Sequence, residues 1–112
     1  MQDEIFRDES LEKLALMHRA LADETRLRIV NLLLEKSCCV KELTLVMGVA
    51  QPRISQHLNT LRNAGMLVVK KEGTFRCYSL DTRNFPPELF SCVRDARSGS
   101  ATLQEDLKRL LS

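Results

Sequence analysis

The sequence predicts a mainly α fold with one small β-hairpin, and three observations carry that prediction. Two short amphipathic helical segments meet at Gly48. The second of them opens with Pro52 in its first turn and stops just before Gly65. A basic stretch with alternating apolar residues then folds back on itself around Glu72-Gly73. Taken in order, these make a winged helix-turn-helix, a layout that sets one helix into the major groove of DNA.

The chain has 112 residues, one domain on length alone (1–112), and 44% of them are apolar. A core of this size leaves modest stability, so self-association is expected. The net charge of +2 argues for little by itself, but its distribution is uneven. Residues 1–24 hold seven acids and three bases, whereas residues 50–83 hold Arg53, Arg62, Lys70, Lys71, Arg76 and Arg83 against Glu72 and Asp81. A basic stripe confined to one segment is the electrostatic footprint of a phosphate contact. No apolar run is long enough to span a membrane, and the N-terminus lacks a basic region followed by an apolar one. A cytoplasmic protein is expected, with its four cysteines held as thiols.

The elements follow in chain order. Ser10 is a candidate cap for a first helix to about Leu21, with Leu11, Leu14, Ala15, His18 and Leu21 on one face. Asp23 caps a second helix to about Lys36, whose broad apolar face (Leu27, Ile29, Val30, Leu32, Leu33, Leu34) suits the centre of a core. A third helix runs from about Cys39-Val40 to Met47, with Gly48 as its left-handed terminator. The fourth spans about Gln51–Asn63, and Ile54, Leu58 and Leu61 fall at inward spacing. The helix-turn-helix thus occupies about 39–64. Strands over 66–71 and 75–80 form the wing, about 66–80. A break at Asn84-Phe85-Pro86-Pro87 precedes a fifth helix over 88–97. Ser98-Gly99-Ser100 interrupts, and Thr102-Leu103-Gln104-Glu105 reads as a capping box for a last helix striped with Leu103, Leu107 and Leu110. The apolar stripes of segments 10–21 and 88–111 exceed what so small a core needs, and both are expected to form a homodimer interface.

A reading helix needs buried residues on one face and polar or planar side chains on the other, near its start. Gln51, Arg53, Ser55, Gln56 and His57 meet that description. Arg pairs with guanine and Gln with adenine in the major groove. Ser55, Thr60 and Arg62 suit phosphates, as do Lys70, Lys71 and Arg76 of the hairpin. The expected partner is double-stranded DNA, read by a dimer as an inverted repeat. A helical protein-interaction module without DNA function is the alternative from another class. No nucleophile–base–orienter set or phosphate loop is visible, which argues against an enzyme.

Cys39 sits where a helix cap belongs, next to Cys38. A thiolate is favoured at a helix N-terminus, and Lys36 and Lys41 lie close by. Adjacent Cα atoms are about 3.8 Å apart, too close for an unstrained disulfide. The pair is therefore expected to chelate one soft species: trivalent arsenic or antimony, Cd(II) or Cu(I), less well Zn(II). Cys77 on the wing strand is expected to be plain packing. A redox or persulfide response joining Cys38 or Cys39 to Cys92 is the alternative.

Two segments resemble the ArsR/SmtB repressors. Ala20-Leu21-Ala22-Asp23-Glu24-Thr25-Arg26-Leu27-Arg28-Ile29-Val30 looks like their second-helix signature. Gln51-Pro52-Arg53-Ile54-Ser55-Gln56-His57-Leu58, followed by Leu61-Arg62-Asn63-Ala64-Gly65-Met66-Leu67, is similar to their recognition helix and the start of their wing. The likeness covers about residues 14–80. It implies a homodimeric repressor released from its operator by a metal, metalloid or redox signal. Arsenic-sensing members often carry Cys-Val-Cys-Asp-Leu at the start of the third helix. Here Cys39 matches the first cysteine, Lys41 replaces the second and Cys38 is an addition. Trivalent arsenic favours three thiolates, and Cys92, from the same chain or its partner, is the expected third ligand. Zinc-sensing members use Asp, His and Glu on the fifth helix, and 88–97 contains no His. Ala50 stands where related sequences often have a capping Ser or Thr.

Overall fold

The computed structural model describes residues 8–84 and 86–112, so the N-terminal residues through Arg7, and Phe85 within the predicted break, lie outside it. Among the described residues six helices and three short strands follow one another: α1 (Glu9–Leu21), α2 (Glu24–Leu33), β1 (Cys38–Cys39), α3 (Val40–Met47), α4 (Gln51–Asn63), β2 (Leu67–Glu72), β3 (Phe75–Leu80), α5 (Pro87–Ala96), a 3-10 turn (Arg97–Gly99) and α6 (Ala101–Leu111). The expected hairpin is therefore the larger part of a three-stranded antiparallel sheet in the order β1-β3-β2. β1 is too short to show a period of two, which is why the sequence concealed it.

α2 is the hub. Ile29, Val30 and Leu32 are completely buried, and the helix packs on α1, α4, α5, α6 and β3. Burying each such side chain is worth about 1.5–3 kcal/mol. Its N-cap is Asp23, whose carboxylate accepts a 3.0 Å hydrogen bond from Arg26 N. The helix ends three residues before the expected Lys36, in turns closed by Glu35 N and Lys36 N donating to Leu32 O.

Polar side chains fasten the C-terminal helices to this hub. Arg28 holds the buried carboxylate of Asp106 with both Nε (2.8 Å) and Nη2 (2.9 Å). Buried Asn31 donates to Leu103 O and accepts from Arg97 Nε at 2.6 Å, while Arg97 also donates to Asn31 O and pairs with Glu35 at 2.9 Å. Paired and fully hydrogen-bonded, these buried polar groups specify one docking of α6 on α2.

Several sequence expectations change. Asp8, not Ser10, caps α1, and Ser100, not Thr102, caps α6 by accepting from Leu103 N. In each case the helix starts earlier, wherever the nearest side-chain oxygen reaches a first-turn N–H. The α1 face toward the core is Met17 and Ala20, whereas Leu11, Leu14 and Leu16 are 62%, 43% and 41% exposed. His18 is an exposed residue whose Nδ1 lies 2.8 Å from Leu14 O. The α6 stripe is spent at home: Leu103 and Leu110 are buried and Leu107 packs on the chain's own core. Uncovered apolar side chains therefore remain on α1 and, at Leu111 (65% exposed), at the end of α6. No helix among the described residues is long and apolar enough to cross a membrane.

Two outcomes follow for stability. Asp106→Ala leaves the Arg28 guanidinium without its partner and should cost about 3 kcal/mol in urea unfolding, near the lower end for broken buried pairs because Arg28 is partly exposed. Replacing both partners with apolar residues should recover much of that loss. The Asp23 carboxyl is held below its usual 3.8 first by the Arg26 N–H it accepts, then by the Arg26 charge. The lowered value means its stabilisation is present above the unfolded pKa and lost as pH falls through the folded one. Asp23→Ala should cost about 1 kcal/mol at neutral pH, and the difference from the parent chain should narrow well below pH 3.8, where the neutral carboxyl is left as a weaker cap.

Candidate nucleic-acid interface

The first contribution to the site is the α3–α4 corner. Gly48 adopts φ 65°, and its N–H closes α3 on Thr44 O at 2.9 Å. That left-handed conformation costs any residue with a Cβ, so the turn depends on this glycine. α4 then begins without a side-chain cap, because Ala50 has no oxygen to offer. Its backbone carbonyl takes the Arg53 and Ile54 N–H groups at 3.0 and 3.1 Å. Ile54, Leu58 and Leu61 are completely buried, which fixes the rotation of α4 about its axis. Gln51, Arg53, Gln56, Thr60 and Arg62 are exposed as a result, and Ser55 is half-exposed. Thr60 Oγ1 donates to Gln56 O at 3.2 Å.

His57 departs from the expected set. It lies three residues after Ile54 and four before Leu61, on the flank of the inward face. Its side chain is only 15% exposed, and Nδ1 sits 3.2 Å from Arg26 Nη1. A guanidinium only donates, so Nδ1 accepts. Arg26 is itself anchored on Ala20 O through Nε at 2.6 Å. His57 thus ties the recognition helix to the start of α2 rather than facing the groove, and its spacing was the available signal.

Between α3, α4 and the wing lies an open groove of about 650 Å³. Gln51, Ser55 and Asn59, four residues apart on one face of α4, form one wall. Lys41, Thr44 and Leu45 of α3 form a second, and Phe75 and Arg76 of the wing the third. Asn59, Thr44 and Leu45 were absent from the sequence-based candidates. The i, i+4, i+8 series from Gln51 would have found Asn59. Thr44 and Leu45 needed the tertiary position of α3. Lys70, Lys71 and Arg76 are exposed on the wing, with Lys71 and Arg76 directly opposite each other. Like charges so placed repel unless an anion lies between or beside them.

The cysteines are arranged differently from the expectation of a Cys38, Cys39, Cys92 ligand set. Cys38 and Cys39 are consecutive in a strand, so their side chains take opposite faces. Cys38 is completely buried, its thiol 3.5 Å from Lys36 O, and burial pushes its pKa up to about 12. Cys39 is half-buried at the N-cap of α3 and makes no side-chain cap hydrogen bond. Lys36, expected to favour a thiolate, is engaged by Glu42 at 2.6 Å. Cys92 is exposed on α5. Among the described residues no cluster of three or more His, Cys, Asp or Glu is placed to hold a metal ion. The residue that does meet Cys39 is Cys77, its direct partner across β1 and β3. The Cys77 thiol is held above its ordinary value by desolvation first and by Glu72 and Cys39 next.

One consequence is measurable at once. Iodoacetamide in mildly alkaline buffer should alkylate Cys39 and Cys92 of the folded chain and spare Cys38, which should become reactive only in denaturant. Peptide mass mapping checks this, and rapid native alkylation of Cys38 would contradict its burial.

The family model described as "bacterial regulatory protein, arsR family" matches residues 23–68. The uncharacterized HTH-type transcriptional regulator MJ1325 of Methanocaldococcus jannaschii is 44% identical over 71 residues, 62% of this chain and 80% of that protein. The arsenical resistance operon repressor of Escherichia coli is 45% identical over 65 residues, 57% of this chain and 56% of the repressor, so the chain spans little more than half the length of that relative. Among solved structures, the homodimeric winged helix-turn-helix DNA-binding domain Mb0332 from Mycobacterium bovis superimposes with a TM-score of 0.71 at 26% identity, over 80% of this chain and 82% of that one. With a match that begins at the cap of α2 and ends in the wing, the chain belongs to the arsR family of bacterial regulatory proteins, which are transcriptional regulators and not enzymes.

Proposed function

We propose that the chain is a cytoplasmic, homodimeric transcriptional repressor that leaves its operator when a thiophilic metalloid or metal binds cysteine thiolates. The observation that carries the DNA reading is the rotation of α4. Burial of Ile54, Leu58 and Leu61 turns Gln51, Arg53 and Gln56 outward, and Gln51 joins Ser55, Asn59 and Arg76 around one groove. Arg53 and Gln56 have the fork geometry for guanine and adenine edges. Ser55, Thr60, Arg62, Lys70, Lys71 and Arg76 supply phosphate contacts, which position without specifying. The uncovered leucines of α1 supply an apolar face for a second copy, and the homodimeric Mycobacterium bovis relative supports that assembly. A dimer then reads two half-sites of an inverted repeat.

The inducer reading is supported by a relative that is a repressor of an arsenical resistance operon, and by half-buried Cys39 at the start of α3. A soft electrophile there would act on the helix that packs directly against α4. Trivalent arsenic or antimony is the leading candidate and Cd(II) the next. Release requires that the ligand bind the free conformation more tightly than the DNA-bound one.

Fluorescence anisotropy on a panel of inverted-repeat duplexes tests both parts. Arg53→Ala and Gln56→Ala should each cost about 1–3 kcal/mol on the matched duplex and relax specificity. Lys71→Ala should weaken all duplexes alike and reduce the salt slope by about 1. Titration of the complex with arsenite, antimonite or Cd(II) should release the duplex. A folded, reduced chain that binds no duplex would point to a protein-interaction module instead. Release that persists after Cys39→Ser would remove the thiolate mechanism.

A further inference from the structure

The sheet carries a pair of thiols outside the hydrophobic core. β1 and β3 run antiparallel with Cys39 directly opposite Cys77. Directly opposed residues share a face, with Cβ atoms about 4.5–5.5 Å apart. The neighbouring opposed pair, Cys38 and Tyr78, points into the core and is buried. The next pair along must therefore project from the other face, and both of its thiols are half-buried and free. Lys70 lies opposite Cys77 on its other side, which places an ammonium group beside the pair.

We propose that Cys39 and Cys77 form a two-thiol clip across β1 and β3 that captures a monosubstituted trivalent arsenical. The count of donors sets the ligand class. Two thiols on one face supply two bonds, and among the described residues no cluster of three or more His, Cys, Asp or Glu suited to a metal is present. Arsenic bearing one carbon substituent has two oxygen valences to exchange, whereas arsenite has three and would need an external thiol. The carbon substituent needs apolar room, which Val40, Leu45 and Phe75 offer on the Cys39 side of the clip, where Cys39 but not Cys77 lines the groove. The step balances without an oxidant. With an arsine oxide, both S–H bonds break and one As–S bond forms to each sulfur. The As–O bonding is lost, and the two protons leave with that oxygen as one water while arsenic stays trivalent. The clip would fasten the N-terminus of α3 to the wing beside the recognition groove. Capture stands by itself, and its effect on operator affinity rests on the repressor reading above.

The test uses the full reduced chain with phenylarsine oxide as the probe, read by intact-protein mass spectrometry and peptide mapping. One adduct should form, equal to one probe less one water, bridging the peptides of Cys39 and Cys77. Cys92→Ser and Cys38→Ala should leave it intact, and Cys39→Ser or Cys77→Ser should weaken capture at least tenfold. Serine is a good cap at Cys39, and Cys77→Thr is a second strand-compatible variant, so circular dichroism should report folded proteins. Undiminished capture in folded Cys77→Ser and Cys77→Thr, or its loss in Cys92→Ser, would overturn the clip. Anisotropy with an operator duplex is run in parallel. Release in the parent chain but not in Cys77→Ser supports the regulatory coupling, and capture without release refutes it. Failure to bind any duplex would strike the repressor reading while the mass measurement still decides the clip.

Discussion

Everything in this chain hangs on the burial of α2. Its apolar side chains meet α1, α4, α5, α6 and β3, so each other layer is positioned relative to this one helix. Apolar contact is not directional and would tolerate several dockings of neighbouring helices. The bidentate Arg28–Asp106 pair and the Asn31–Arg97–Glu35 network remove that freedom, because each buried polar group is satisfied in one arrangement only. A residue pattern that reads as a hydrophobic helix is thus also the polar register for the C-terminal half.

The same hub sets the aim of the recognition helix. α4 lacks a side-chain cap at Ala50, and its first turn is held instead by its buried stripe and by Arg26 reaching from α2 to His57. The missing side-chain cap is offset within the backbone: Pro52 has no N–H to satisfy, and the Arg53 and Ile54 N–H groups donate to Ala50 O. Burial of Ile54, Leu58 and Leu61 then anchors the helix without a capping side chain. The Gly48 turn fixes the angle between α3 and α4, and the wing supplies positive charge on the far side of the groove.

The cysteines show how a two-residue strand alters chemistry. As neighbours in sequence, Cys38 and Cys39 look like a chelating pair. As neighbours in a strand they separate, one into the core with its proton held tightly and one to the outer face opposite Cys77. The difference is one of alternation, and it reassigns which thiols can act on a common ligand.

Much was legible in the residues themselves. The period of Ile54, Leu58 and Leu61, the Asp23 cap, Gly48 and the alternating basic strands were enough to give helix-turn-helix and wing, because each depends on neighbours within a few positions. The outward residues on α4 followed from the same period, apart from His57 and Asn59. What the sequence by itself determined is therefore local: which segments coil, where they stop and which face of each is apolar. Only the tertiary structure decided what each apolar face meets. It spent the α6 stripe on the chain's own core, left Leu11 and Leu14 of α1 uncovered, and turned His57 toward Arg26. It also brought Cys39 and Cys77, far apart in the chain, face to face through a pairing too short to leave a pattern. Long-range pairing depends on the packing of whole elements, and no window of sequence contains it.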